Sequence, residues 1–394
     1  MKILSINAVN DYLKFCLFDI DSNSLLAKGL FERIGMEGST CSIMYNDERF
    51  VQEIDCASFD DVANILLDKL ISLDIIKSSF EINAVGHKVI HGKDLFDNGV
   101  LLGENVMEKL EKLKDEFPMY DNSSVSTIKS FKRAMPDTMQ AAFFDTSFAT
   151  DMEESTYLYP VPYFWYSEYG LRKYGFHAIS HKYVSKEVGK IIGSDEYKLI
   201  SCRINDMTGS ISAIKNGKCV DNSMGFTPLS GLIMSTKSGD VDTSIIPYIM
   251  EREGKNASEV IDDLNNRSGL FGMSEVSDNI NDIVRESNSG NHKASVAIDK
   301  FIRRIVDYIA QYYVLLNGAD IITFTSDVLV NNFDILQRIC NRLSCLGVEI
   351  DSNISELSNS VEKISSKKSK VLVYVVSVDE ETVIAKDTYN LINR

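Results

Sequence analysis

Two segments of this chain share one layout, and that shared layout constrains the fold more than any other feature. "KILSINAVNDYLKFCLFD" (2–19) and "KLISCRINDMTGSISAIKNG" (198–217) each run as an apolar strand containing a serine, then an asparagine, a short polar turn and a second apolar strand. Such a repeat reads as two similar halves, each opening with a strand–turn–strand. Two β-hairpins also resemble one another by chance, so the layout alone leaves duplication open. Further apolar runs, "QAAFFDTSF" (140–148), "DIITFTSD" (320–327) and "KVLVYVVS" (370–377), read as buried strands. Asn216-Gly217 reads as a two-residue hairpin turn. Over 294–317, Ile298, Ile302, Ile305, Ile309, Tyr312 and Leu316 fall on one helical face, with Gly318 as the stop. Strands mixed with helices, some of them hairpin-linked, give an α/β class with mixed sheets.

A chain of 394 residues is long enough for two cores. Its net charge of -16 excludes nucleic acid and anionic membrane as partners, since both need a basic surface. The same charge means that any anionic substrate must meet a local cluster of cations. The 7 cysteines are odd in number, scattered and without C-x-x-C, which fits reduced thiols in a cytosolic protein. Asn7, Asn10 and Asp11 interrupt the N-terminal segment, so no secretory core is expected there. The longest apolar runs, such as "VLVYVV" (371–376), are too short to span a bilayer. A cytoplasmic protein is the expectation.

Four of the 5 histidines form two H-x-x-x-H pairs, His87 with His91 and His177 with His181. Zinc needs converging ligands, which this spacing gives on a helix. "HKVIH" is strand-like instead, and on a strand such residues stand roughly 13 Å apart. "HAISH" is able to open a helix but lacks the glutamate of H-E-x-x-H, and no cysteine lies near either pair. His87, His91 and His181 are read as satisfied core residues. His177 follows Arg172 and Lys173 and is read as a hydrogen-bond donor to a phosphoryl oxygen.

The order of motifs resembles the acetate kinase family over nearly the whole chain. The matching stretches are "NAVNDYLK" (7–14), "GHKVIHG" (86–92), "FFDTSF" (143–148), "YGFHAISHKYV" (174–184), "VDNSMGFTPLSGLIM" (220–234), "STKSGDVD" (235–242), "SGLFGMSEVS" (268–277) and "VDEETVIAKDT" (378–388). The resemblance implies a duplicated actin-like (ribonuclease H-like) fold, two mixed-sheet domains with an inter-domain cleft. The first would span 1–150, joined by the C-terminal helix 380–394. The second, 151–379, would carry the nucleotide-side motifs and a homodimer interface. The implied activity is reversible phosphoryl transfer between ATP and acetate, giving acetyl phosphate and ADP, with Mg2+ (or Mn2+). All reactants are anions, so catalysis rests on placed cations and in-line positioning. On the matched motifs, Asn7 falls in the metal and phosphate region and Lys14 on the nucleotide phosphates. Asp145 becomes the central acid, holding metal or positioning acetate, and His177 stabilises the transferring group. Glu380 or Glu381 reaches the metal. Lys88 and Lys237 take the place of two substrate-gripping arginines. Arg203, Asn205, Asp206 and Gly209 belong to the second phosphate turn.

The departures from the family pattern fall within these motifs. The hydroxyl-rich N-A-G-S-S-S-L-K has become "NAVNDYLK", where Tyr12 is bulky and Asp11 repels phosphate. Lysine at 88 and 237 keeps the charge and loses the bidentate fork, each lost charge-assisted bond costing about 1.5–3 kcal/mol. H-L-G-N-G reads "RINDM" (203–207), the adenosine-side D-F-R reads Asn279-Ile280-Asn281, and the glycine-rich F-T-G-G-I-G-E-N reads "FTSDVLVNN" (324–332) without a glycine. Three readings therefore stand: a working acetate kinase, a relative using pyrophosphate or inorganic phosphate, and a silent homologue acting as a binding or regulatory subunit.

Overall fold

The computed structural model describes residues 1–354 and 360–394, and of residues 118–121 the backbone alone. It divides into two compact units, Met1–Ser147 with Asp379–Arg394, and Phe148–Val378. In the first unit the strands are β1 (Lys2–Val9), β2 (Tyr12–Asp19), β3 (Ser24–Glu32), β4 (Thr40–Tyr45), β5 (Glu48–Glu53), β6 (Ile82–Val89), β7 (Val100–Leu101) and β8 (Met139–Phe144). They form a sheet of order β5-β4-β3-β2-β1-β6-β8-β7. In the second unit β9 (Lys198–Ile204), β10 (Gly209–Lys215), β11 (Lys218–Asn222), β12 (Ile321–Thr325), β13 (Val361–Lys363) and β14 (Leu372–Val376) form the order β11-β10-β9-β12-β14-β13.

The two orders contain the same five-strand pattern. β3-β2-β1 is antiparallel and β1-β6-β8 parallel, just as β11-β10-β9 is antiparallel and β9-β12-β14 parallel. The repeat at Lys2 and Lys198 therefore marks equivalent strands, and duplication takes precedence over chance. The central strand β1 is buried on both faces from Ile3 to Ala8, as a strand covered by helices must be.

Helix His292–Leu315 anchors the second core. Asn291 caps it by accepting the Ala294 N–H at 3.2 Å, which satisfies one of the orphan donors of a helix start. The predicted stripe Ile298, Ile302, Ile305, Ile309 and Tyr312 is fully buried against Ile200, Ile211 and Ile322 of the sheet. Asn216 and Gly217 both take positive φ, 52° and 78°, between β10 and β11, as a tight hairpin turn requires.

One glycine controls how the C-terminal helix Glu380–Ile392 docks on the first sheet. A Cβ on Gly86 of β6 would lie 2.1 Å from Thr388 Oγ1 and 2.8 Å from Ile384 Cγ2. Only glycine admits that approach, and it brings Glu380 beside Lys88, two residues along the strand. Among the described residues the 7 cysteines are free thiols, six of them buried and Cys345 exposed. No described helix is long and apolar enough to cross a membrane.

Candidate active site

In the first unit, three charged side chains meet where β6 and β8 end and the C-terminal helix begins. Lys88 Nζ lies 2.9 Å from Asp145 Oδ2 and 2.7 Å from Glu380 Oε2, and all three side chains are buried. Asp145 is fixed because its N–H continues the ladder to the Val89 carbonyl at 2.9 Å. Thr146 then clasps the next loop, accepting from Gly92 N–H and donating to the Lys93 carbonyl. At the far end of β1, Asn7 donates from Nδ2 to Glu381 Oε1 at 3.1 Å. Burial, then the neighbouring Glu380, hold the Glu381 carboxyl above its ordinary value, partly opposed by the Asn7 hydrogen bond. One ammonium thus serves two carboxylates, and a third acid stands beside them. Lys88 was expected to grip substrate oxygens; here its ammonium is shared between two protein acids.

Whether a metal suits these residues turns on their donor chemistry. Among the described residues no three His, Cys, Asp or Glu side chains converge as a ligand set. Zinc wants such a set, whereas Mg2+ takes one or two carboxylates and draws further oxygens from water and substrate phosphates. Asn7 Oδ1 is buried without a hydrogen-bond partner. An orphaned hard oxygen beside an excess of carboxylates fits a small divalent cation. Lys14 stands opposite Asn7 in the β1–β2 register and is exposed. The β1–β2 turn is only two residues, with Asn10 at φ 52°.

In the second unit, His177 caps helix Ala178–Ile192 with a left-handed backbone, φ 63° and ψ 34°. A non-glycine residue there is strained, and such strain gathers at functional positions. Gly175, at φ 68°, makes the approach possible: a Cβ on it would lie 2.9 Å from Ala149 Cβ and 3.0 Å from Asn222 Cβ. The His177 ring is buried between β9 and β10, whose register sets Arg203 opposite Ser210. Nδ1 lies 2.8 Å from Ser210 Oγ, and Nε2 lies 3.1 Å from Arg203 Nη1 and 3.3 Å from Thr208 Oγ1. Arg203 also donates from Nε to Ser180 Oγ at 3.0 Å. His181 joins the same serine, with Nε2 2.8 Å from Ser210 Oγ and Nδ1 2.9 Å from Ser201 Oγ. This pair does open a helix, yet its two rings share a serine and not a metal.

The other histidine pair is structural in its contacts. His87 Nε2 sits 3.0 Å from Gln140 Oε1, and burial pushes the ring down to about 4. His91 stacks on Phe117 at 3.9 Å between centroids. Of the remaining motif cations, Lys173 pairs with Asp221 at 2.6 Å and the Arg172 guanidinium lies 3.6 Å over the Tyr157 ring. Lys237 is half-buried, and burial lowers its ammonium. Asn205 and Asp206 are exposed in the β9–β10 turn, closed by Asn205 N–H to Thr208 carbonyl at 2.9 Å, and Gly209 is buried at the start of β10.

The two glycine-poor segments are tied together. Asn332 Nδ2 donates to Asn281 Oδ1 at 2.7 Å and to the Val328 carbonyl at 2.9 Å. The space between Ile280, Val328 and Gly209 is about 10 Å³, less than one water needs to be comfortable. A cavity of about 310 Å³ opens nearby, walled by Asn205, Thr325, Ser326 and Ser377 at the C-terminal ends of β12 and β14. Strand C-termini in α/β sheets are where ligands collect.

The family model described as the acetokinase family matches residues 2–386. The acetate kinase of Bacillus cytotoxicus is 39% identical over 394 residues, 100% of this chain and 99% of that protein. Two solved structures are similar throughout. The Porphyromonas gingivalis acetate kinase has 34% identity and TM-score 0.93, and a propionate kinase from Francisella tularensis has 31% identity and TM-score 0.92. Each covers 99% of this chain and 99% of the other.

Proposed function

This chain belongs to the acetokinase family, and from that premise we propose that it transfers a phosphoryl group reversibly between ATP and acetate or a similarly short carboxylate. Its class is that of a phosphotransferase with a carboxyl acceptor, on an actin-like fold. The acid centre of the first unit carries the reading: Lys88, Asp145, Glu380 and Glu381 together hold more negative than positive charge, with Asn7 Oδ1 unsatisfied beside them. Asn7, Asp145 and Glu381 are the residues to hold Mg2+ or Mn2+. A divalent cation held there would supply charge neutralisation to phosphate oxygens.

Lys88 keeps Asp145 and Glu380 at fixed separation. Its role is to orient the acids; contact with the carboxylate substrate falls to other groups. Arg203 stands beside a helix N-terminus, whose dipole favours an anion, and its guanidinium receives the transferring phosphoryl group, with His177 Nε2 bonded to it. Lys237, with its ammonium lowered by burial, is suited to a carboxylate or phosphate oxygen. Lys14, Asn205, Asp206 and Gly209 are assigned to the nucleotide phosphates, and the cavity beside Ser326 to the nucleotide.

The names of the relatives, acetate and propionate kinases, lend no support to a pyrophosphate donor or to a silent subunit. Self-association belongs to the proposal as well. Tyr163, Phe164, Trp165 and Tyr169 of the second unit are all exposed, an aromatic surface suited to a second copy of the chain. The deciding experiment is hydroxamate capture of acyl phosphate from acetate, and then propionate, with ATP and Mg2+. Folded protein giving no product with either acid would overturn the activity. No thermal shift at millimolar ATP with Mg2+ would remove ATP as donor.

A further inference from the structure

The guanidinium beside His177 sets the polarity of its hydrogen bonds. A guanidinium carries donors and no acceptor, so Nε2 of His177, 3.1 Å from Arg203 Nη1, has to accept. A neutral imidazole accepting at Nε2 carries its proton on Nδ1, and Nδ1 then donates to Ser210 Oγ at 2.8 Å. Ser210 Oγ, accepting that hydrogen bond, keeps its own O–H to donate to His181 Nε2 at 2.8 Å. With the Ser210 O–H so directed, His181 accepts at Nε2 and donates from Nδ1 toward Ser201 Oγ at 2.9 Å. Four side chains from one helix and two strands thus take their orientation from a single cation.

We propose that Arg203 is a positioning residue that fixes His177 as the Nδ1–H tautomer, with Ser210, His181 and Ser201 holding that choice from behind. Three further observations bear on it. Arg203 and His177 are both buried, so the pair is shielded from water that would scramble the bond. Arg203 is itself held at Nε by Ser180 Oγ, on the first turn of the helix that His177 caps. The strained left-handed backbone of His177 aims the ring at the strand pair and away from the regular helix path. The chain's positive donor at this helix N-terminus is then the guanidinium, and the imidazole is its oriented acceptor. That catalytic consequence rests on the kinase reading above; the tautomer does not.

The test is long-range proton–nitrogen NMR of the full chain labelled with 15N-histidine, at pH 7.5. The resonances are assigned by His177→Gln and His181→Gln. The expected result for both rings is a protonated Nδ1 and a pyridine-type Nε2. Arg203→Met is expected to admit the Nε2–H form of His177, and Ser210→Ala to mix the two forms. Arg203→Lys, which restores a cationic donor, is expected to return the Nδ1–H form. In turnover, Ser210→Ala is expected to lower kcat about tenfold, the loss of one buried hydrogen bond, with KM for the acid within about twofold. Two findings would overturn the proposal: a wild-type His177 carrying its proton on Nε2, or an Arg203→Met protein that folds and keeps the wild-type pattern. The wild-type spectrum decides even where a variant fails to fold. The expected tautomer in a protein without turnover would sink the kinase reading and leave this one standing.

Discussion

The hairpins β1–β2 and β9–β10 occupy equivalent places in their sheets and do opposite things with their polar residues. In the first, Asn7 stands across from an exposed Lys14 and donates to Glu381, while β6, β8 and the C-terminal helix deliver the ammonium and the acids. In the second, the hairpin's own inward residues, Ser201, Arg203 and Ser210, engage two imidazoles. One half is a charge centre with net negative excess. The other is a directional network organised by a cation. A duplicated scaffold fixes where functional side chains stand and leaves their electrical character to a few substitutions.

The largest way to break that contrast is Lys88→Met. It removes the shared ammonium from two buried carboxylates and is expected to cost about 3–5 kcal/mol in unfolding free energy. Adding Glu380→Gln should recover much of it. A loss too small to measure by urea titration would mean that the acids find solvent. Next comes acid. The unfolded chain protonates histidine near 6.5, whereas folded His87 does so only at about 4. Its contribution is therefore complete above pH 6.5 and lost as pH falls to 4, about 3 kcal/mol in all. His87→Leu should flatten that limb of the stability profile. An unchanged limb would assign acid sensitivity to other groups.

Smaller effects sharpen the second half. Gly175→Ala meets both a positive φ and close Cβ contacts, and is expected to cost about 2 kcal/mol while lowering kcat through His177. A fully stable and active variant would show that the capping geometry relaxes freely. Lys237→Arg restores a planar fork to a half-buried cation and is expected to raise kcat about threefold, measured at saturating acid. No rise would leave the substitution outside what limits turnover.

Most of the fold was legible. The repeat, the helix stripe from Ile298 to Tyr312 and the Asn216-Gly217 turn are periodic or local signals, and each appears where the pattern placed it. The site was legible in its members and less so in its wiring. Lys88 carried its charge in the sequence, but the carboxylates that claim it lie 57 and 292 positions on, at 145 and 380, and no local pattern reports such a meeting. Ser201 and Ser210 read as small residues of apolar strands. The signal that could have found them is registry: Ser201, Arg203 and Ser210 alternate along two paired strands, beside a helix with histidines four apart.

The first unit is closed by Asp379–Arg394, made after the whole of the second unit, whereas the second is a single uninterrupted run. During synthesis the histidine half can therefore acquire its final form while the acid half still lacks Glu380 and Glu381. A nascent chain halted before residue 379 would hold Lys88 and Asp145 without the third partner, and with no helix resting on Gly86.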